Sequence, residues 1–279
     1  MTKKIPVAIC YDFDGTLSPG NMQEYEFMDK LGVKAMWFWK KSLKFSRAQN
    51  ADPILSYMKL MLDEAQYKDL PVTKDYFSKC GQNVEFFPGV IDWFKRINDY
   101  GKEKGVDVFH YIISSGLKEM IEGSVIAKEF KCIFASSFMY DANNVAYWPA
   151  NAVNYTAKTQ YLFRINKGCC DINDNKIINQ YIPEEKRTIP YKNMIYIGDG
   201  DTDVPCMKLV KLSGGHSIAV YNSRKKGQKD KAQKLIKENR VNICANADYQ
   251  ENKKLDKYVK AIIDNLATEY EVLKQEKSI

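Results

Sequence analysis

Asp12 and Asp14 stand two residues apart at the end of the apolar run Val7-Ala8-Ile9-Cys10-Tyr11, with Gly15-Thr16-Leu17 directly after them. The run reads as a strand buried on both faces, as in a parallel sheet. In extended chain, residues i and i+2 point to the same side. The strand therefore aims two carboxylates at one point, and the chain then turns at Gly15. Carboxylates that close repel each other unless a proton or cation lies between them. Such a pair suits a divalent metal and acid/base chemistry better than it suits stability.

The rest of the chain repeats the strand habit. Further strands are expected at 106–114, 132–138, 194–198, 217–221 and 241–244, alternating with helical patterns at 89–104, 118–130, 155–165, 204–212, 226–239 and 255–274. That alternation predicts an α/β fold, a doubly wound parallel sheet with helices on both faces. Residues 19–86 break the pattern with helices at 22–31, 34–46, 53–67 and 73–80, the third begun by Asp52-Pro53. The domains expected are a Rossmann-like core of residues 1–18 and 87–279 and a helical cap of residues 19–86 over the sheet's carboxyl edge, where open α/β sheets bind ligands. A small β-hairpin is expected around Asp141-Ala142-Asn143-Asn144.

Composition excludes several classes. No apolar run is long enough to span a bilayer, and the start lacks a signal peptide's apolar region, so a cytosolic location is expected. Seven cysteines occur without a Cys-x-x-Cys pair and beside only two histidines. Zinc is therefore not expected, and the thiols read as small apolar groups. The net charge of +7 concentrates at 224–240, where eight bases face only Asp230 and Glu238. With Ala232, Leu235 and Ile236 at helical spacing and no aromatic interleaved, this reads as a solvated amphipathic helix rather than a nucleic-acid stripe. His110 and His216 read as structural or surface residues. At least two of the rings Trp37, Phe38 and Trp39 read as core.

Three further groups fall near strand ends: Ser114-Ser115-Gly116, Lys158 near a helix start, and Gly198-Asp199-Gly200-Asp201-Thr202-Asp203. Taken in order with Asp12-x-Asp14-Gly15-Thr16, these resemble the four motifs of the haloacid dehalogenase-like hydrolase superfamily, in its phosphoserine-phosphatase-like branch with a helical cap. The resemblance covers nearly the whole chain and implies a Mg²⁺-dependent phosphotransfer through an aspartyl phosphate. Asp12 would attack phosphorus, and Asp14 would protonate the leaving oxygen and then activate water. Asp199, with Asp12 and the Asp14 carbonyl, would hold Mg²⁺, and Asp203 would bind it through water or orient its ligands. Lys158 would neutralise charge. Ser114, with Ser115 and Gly116, would hold the phosphoryl group, to which Thr16 is also assigned. Asp14 disfavours the family's transport ATPases, which carry Thr there, and its dehalogenases. Ser114 could also cap the helix beginning at Leu117-Lys118-Glu119.

Within 19–86, Glu24, Glu26 and Arg47 are the candidate specificity residues; Glu24 and Arg47 are retained as substrate contacts. Phosphoserine phosphatases use a cap Glu and Arg for the amino and carboxylate groups. Glu24 lies further past Asp12 than that role expects, and Arg47 is the only Arg in this region. The substrate class expected is a small phosphorylated metabolite, with no membrane partner and no nucleic acid. The alternatives are a phosphotransferase or phosphomutase of the same family, and a non-catalytic phospholigand- or RNA-binding protein.

Overall fold

Seven short apolar runs build one sheet in a computed structural model that describes residues 4–276. They are β1 (Ile5–Tyr11), β2 (Val106–Leu117), β3 (Phe130–Tyr140), β4 (Ala146–Asn151), β5 (Met194–Gly198), β6 (His216–Tyr221) and β7 (Ile243–Asn246). The spatial order is β4-β3-β2-β1-β5-β6-β7. All pairings are parallel except that of β4 with β3. This is the expected Rossmann-like α/β arrangement, with the expected hairpin supplying the antiparallel edge.

Strand periodicity assigns β1 to both faces at once. Val7, Ile9 and Tyr11 join the apolar cluster on one side of the sheet, and Ala8 and Cys10 join the cluster on the other. The helices are α1 (Phe27–Leu31), α2 (Ala35–Gln49), α3 (Pro53–Tyr67), α4 (Lys74–Gln82), α5 (Val90–Glu103), α6 (Lys118–Gly123), α7 (Thr159–Lys167), α8 (Asn175–Asn179), α9 (Val204–Leu212), α10 (Gln228–Lys237) and α11 (Lys254–Glu276). α5 and α11 cover the first face through Trp93, Phe94, Ile97, Ile262 and Ile263. α7, α9 and α10 cover the second through Tyr161, Leu162, Met207, Val210 and Ala232. The chain runs from β1 outward to β2 and β3, then returns to β5 on the other side. The strand order therefore reverses between β1 and β5, where the carboxyl ends of the two strands part and leave a crevice.

The segment between β1 and α5 is helical, as its sequence indicates. Asp52 caps α3 by accepting from the N–H groups of Ile54 and Leu55. α4 packs against α6, and the turn of the β3–β4 hairpin bridges back to Thr73 just before α4.

Four expectations need correction. The helix expected at 118–130 stops at Gly123, where Ser124 turns extended and bonds the Ile121 carbonyl with both its N–H and its hydroxyl. Gly123 itself packs so close to α4 that a Cβ would lie 1.8 Å from the Ser78 carbonyl oxygen. Ser114 does not cap α6, whose N-cap is Leu117. Two thiols are not free, since Cys132 and Cys170 form a disulfide with Cα atoms 5.7 Å apart. The chain leaving α7 returns to β3, a proximity that the 38-residue separation hides. Ile236 is 40% exposed, so the inward face of α10 rests on Ala232 and Leu235. Among the described residues, no helix is long and apolar enough to cross a membrane.

Candidate active site

The crevice between β1 and β5 holds the acids. Asp12 leaves β1 with its N–H donated to the Ile197 carbonyl on β5 (3.0 Å), so the two strand ends are stitched together at Asp12. The next residues form a tight turn in which Thr16, Leu17 and Ser18 all donate N–H to the Phe13 carbonyl. Gly15 at that turn has φ +78°, and a Cβ on it would sit 2.2 Å from Asp199 Oδ2. Only glycine fits there, which explains the Gly between the two acidic loops.

Asp199 and Asp203 arrive on the loop after β5. One carboxylate oxygen each of Asp12, Asp199 and Asp203 lie within 4.8 Å of one another. Lys158, fully buried just before α7, reaches in from below with Nζ 3.0 Å from Asp12 and 2.7 Å from Asp203. Asp203 also accepts from the Tyr196 hydroxyl (2.8 Å) and the Gly200 N–H (3.1 Å). Its carboxylate is thus engaged by protein on both oxygens. Asp199 has no such partners among the described residues and faces the cavity. Asp14 is anchored by the Met22 N–H, which donates to its Oδ1 at 2.9 Å.

One cation among so many acids leaves the site electrostatically short of positive charge. Burial, then Asp203, push the Asp12 carboxyl up to about 6 against the pull of Lys158. Burial and Asp12 hold Asp14 well above the usual carboxylate range. Burial, Asp12 and Asp203 do the same to Asp199. Burial alone pulls the Lys158 ammonium down, but Asp12 and Asp203 together outweigh it and hold it above the ordinary lysine value. Asp12 and Asp199, both raised by burial and by neighbouring carboxylates, lie with Asp203 in an oxygen-rich cluster of the kind that suits a hard divalent cation.

A cavity of about 440 Å³ opens onto this cluster. Asp12, Asp14, Ser114, Ser115, Gly116, Asp199 and Glu24 all line it. Ser114 Oγ accepts from the Gly116 N–H at 3.0 Å, and Ser115 Oγ is buried with no protein partner. Lys158 does not reach the cavity and lies behind Asp12. Thr16 is buried beneath the turn, away from the cavity, with its Oγ1 unpartnered. Arg47 is not brought to the site. α2 turns Phe38, Ser42 and Ser46 inward, and Arg47, one position further round the helix, is exposed. Glu26 is also absent from the cavity wall, its carboxylate taken by Asn83.

Of the aromatics at 37–39, which could line a pocket or pack in the core, Trp39 does line the cavity, while Tyr57, Lys225 and Gln228 were not anticipated. Trp39 is half-buried and donates its indole N–H to Glu24 Oε1 at 2.5 Å, while its ring packs edge-on to Tyr57. At least two of the rings at 37–39 were expected in the core: Phe38 is fully buried, Trp39 is half-buried against the core while also forming cavity wall, and Trp37 is 44% exposed. The Tyr57 hydroxyl donates to the Ser115 carbonyl, tying α3 to the loop that ends β2. Lys225, on the turn after β6, and Gln228, the first residue of α10, reach the cavity. That turn also stands at the sheet's carboxyl edge, and its position after an apolar strand is the signal that could have flagged it.

These features match known proteins. Residues 9–208 match the haloacid dehalogenase-like hydrolase family, and the chain belongs to that family. It is 32% identical to an uncharacterized protein of Borreliella burgdorferi, over 91% of this chain and 95% of the relative. The fold resembles a substrate-bound phosphoserine phosphatase complex, with a TM-score of 0.58 at 16% identity, covering 93% of this chain and 99% of that one. It also resembles a family hydrolase from Salmonella enterica serovar Typhi, with a TM-score of 0.55 at 18% identity over 86% and 68% of the two chains.

Proposed function

We propose that the protein is a Mg²⁺-dependent phosphatase that hydrolyses a small phosphomonoester through a phosphoryl group carried on Asp12. The observation that carries this reading is the convergence of Asp12, Asp14, Asp199, Asp203 and Lys158 at one point of the crevice, beside an open cavity. The helices at 19–86 act as a cap, with Trp39, Ile54 and Tyr57 as its wall.

Asp12 attacks phosphorus as the substrate oxygen departs, forming an acyl phosphate. Asp14, held by the Met22 N–H and rich in proton affinity, gives a proton to the leaving oxygen and later takes one from the attacking water. Ser114 and the N–H groups of the β2 end hold the phosphoryl oxygens. Lys158 keeps Asp12 oriented and ionised from behind, because it faces Asp12 and Asp203 rather than the cavity. Mg²⁺ would be held by Asp12 and Asp199 with the Asp14 main-chain carbonyl, and it supplies charge neutralisation for the phosphoryl oxygens. Asp203, with both oxygens engaged, orients Lys158 and the loop.

Phosphate release from a panel of amino-acid, choline, sugar and nucleotide phosphates, with Mg²⁺ and with EDTA, tests the reading. Mg²⁺-dependent release from one class, lost in Asp12→Asn, is the expected result. Release that Asp12→Asn leaves intact contradicts it.

A further inference from the structure

Among the described residues lining the cavity, Lys225 is the only lysine or arginine, set against the carboxylates of Asp12, Asp14, Glu24, Asp199 and Asp201. Lys158 is sealed behind Asp12 and cannot meet a ligand in the cavity. Lys225 is exposed, has no ion pair among the described residues, and donates to a neutral group, the Pro19 carbonyl, at 2.8 Å. Its ammonium is thus bonded to no carboxylate among the described residues, although Asp199 is close enough to feel its charge, and it stands free to bond a ligand at the cavity mouth.

The turn that carries it is built rather than loose. The Asn222 N–H donates to Gln228 Oε1 (2.8 Å), the Lys225 N–H to the Asn222 carbonyl (3.0 Å), and the Ser223 N–H to Asn246 Oδ1 on β7 (3.0 Å). Beyond it a second cavity of about 600 Å³ shares Asp199, Gly200, Asp201 and Gln228 with the first. Lys231 lines that continuation without an ion pair among the described residues. Lys234 and Arg240 also line it, both shared with Glu238. The segment lies past residue 208, outside the span that matches the family.

Resting on the phosphatase reading, we propose that Lys225 determines specificity by binding a second anionic group on the substrate, a carboxylate or a further phosphate, while the transferring phosphoryl group sits at Asp12. With the transferring phosphoryl group at Asp12, the ammonium at the cavity mouth faces another part of the substrate, and an anionic group there is its electrostatic complement. The substrate class is thus a phosphomonoester with a second anionic end.

The test uses alkylphosphonates, which cannot be hydrolysed, so binding is read without turnover. Those ending in a carboxylate, in a series of chain lengths, are each matched to a methyl-ended counterpart and titrated into the full-length protein with Mg²⁺. Expected is at least one carboxylate-ended member binding about tenfold tighter than its counterpart. Lys225→Met should abolish that advantage with methyl-ended affinity unchanged, and Lys225→Arg should keep it. Equal binding of both series, or an advantage that survives Lys225→Met, overturns the proposal and leaves the phosphatase reading standing. Binding of neither series, despite Mg²⁺, overturns both.

Discussion

The acidic edge of the sheet and the helical wall opposite it share one cavity but are built on different principles. At the edge, Asp12 and Asp203 are buried after the ends of β1 and β5 and are both bonded to the buried Lys158. On the wall, Glu24, Trp39 and Tyr57 are half-buried or bonded to backbone, and they sit on helices whose other faces serve the core. On the proposed phosphatase reading, the charge bonded in the dry crevice would serve the chemical step, and the side chains on the helical surface would serve recognition. Substitutions at the edge should therefore reduce kcat, and substitutions on the wall should move KM alone.

The largest expected effect is on turnover. Asp12→Asn should lower kcat by about 10⁴-fold or more with the far-ultraviolet circular dichroism unchanged. A variant with native-like kcat would erase the distinction between edge and wall. Lys158→Met should come next. It leaves Asp12 and Asp203 without their buried cation, and urea unfolding without divalent metal should show a loss of about 3–5 kcal/mol. An unchanged midpoint would mean that Lys158 neutralises nothing.

On the wall, Trp39→Phe keeps the ring but removes the N–H donated to Glu24. KM should rise about fivefold with kcat steady, since one hydrogen bond to a charged group is lost. A fall in kcat at constant KM would place Trp39 in the chemical step instead.

A smaller effect follows from pH. The Asp12 carboxyl is raised to about 6 from an ordinary 3.8, and Asp14 and Asp199 are raised as well. Over the window between those values the native state holds a proton that the unfolded state has released, so raising the pH through about 4–6 costs native stability. Without divalent metal, the protein should gain a few degrees of Tm relative to the Asp12→Asn variant on going from pH 7.5 to pH 5, about the size of a 1 kcal/mol change. Mg²⁺ should remove most of that difference. The smallest effect is that of Arg47→Ala, which should change stability by less than about 0.5 kcal/mol and leave KM unaltered.

The two regions also differ in how much of them could be read beforehand. Asp12 and Asp14 were legible because strand periodicity puts alternate residues on one side, and Asp199 and Asp203 because they follow another buried strand. The doubly wound α/β core followed from the same runs. The wall was harder to read, because a helix shows which residues share a face but not what that face meets. Which of Trp37, Phe38 and Trp39 pack in the core and which line a pocket was therefore left open, and Arg47, on the exposed side of the helix, read as a substrate contact. Lys225 was masked by its neighbours, a run of bases whose helical pattern indicated only a solvated surface. The Cys132–Cys170 pairing and the close packing of Gly123 on α4 depend on chain segments returning in space, which local patterns do not encode.

The most direct test of Asp12 as the phosphoryl carrier needs no substrate. Beryllium fluoride mimics a phosphoryl group on an aspartyl carboxylate, and its effect on Tm is measured with Mg²⁺ and with EDTA. The expected result is a Mg²⁺-dependent rise in Tm for the native protein and none for Asp12→Asn. No rise in the native protein, or an equal rise in the variant, would contradict an aspartyl phosphate at this position.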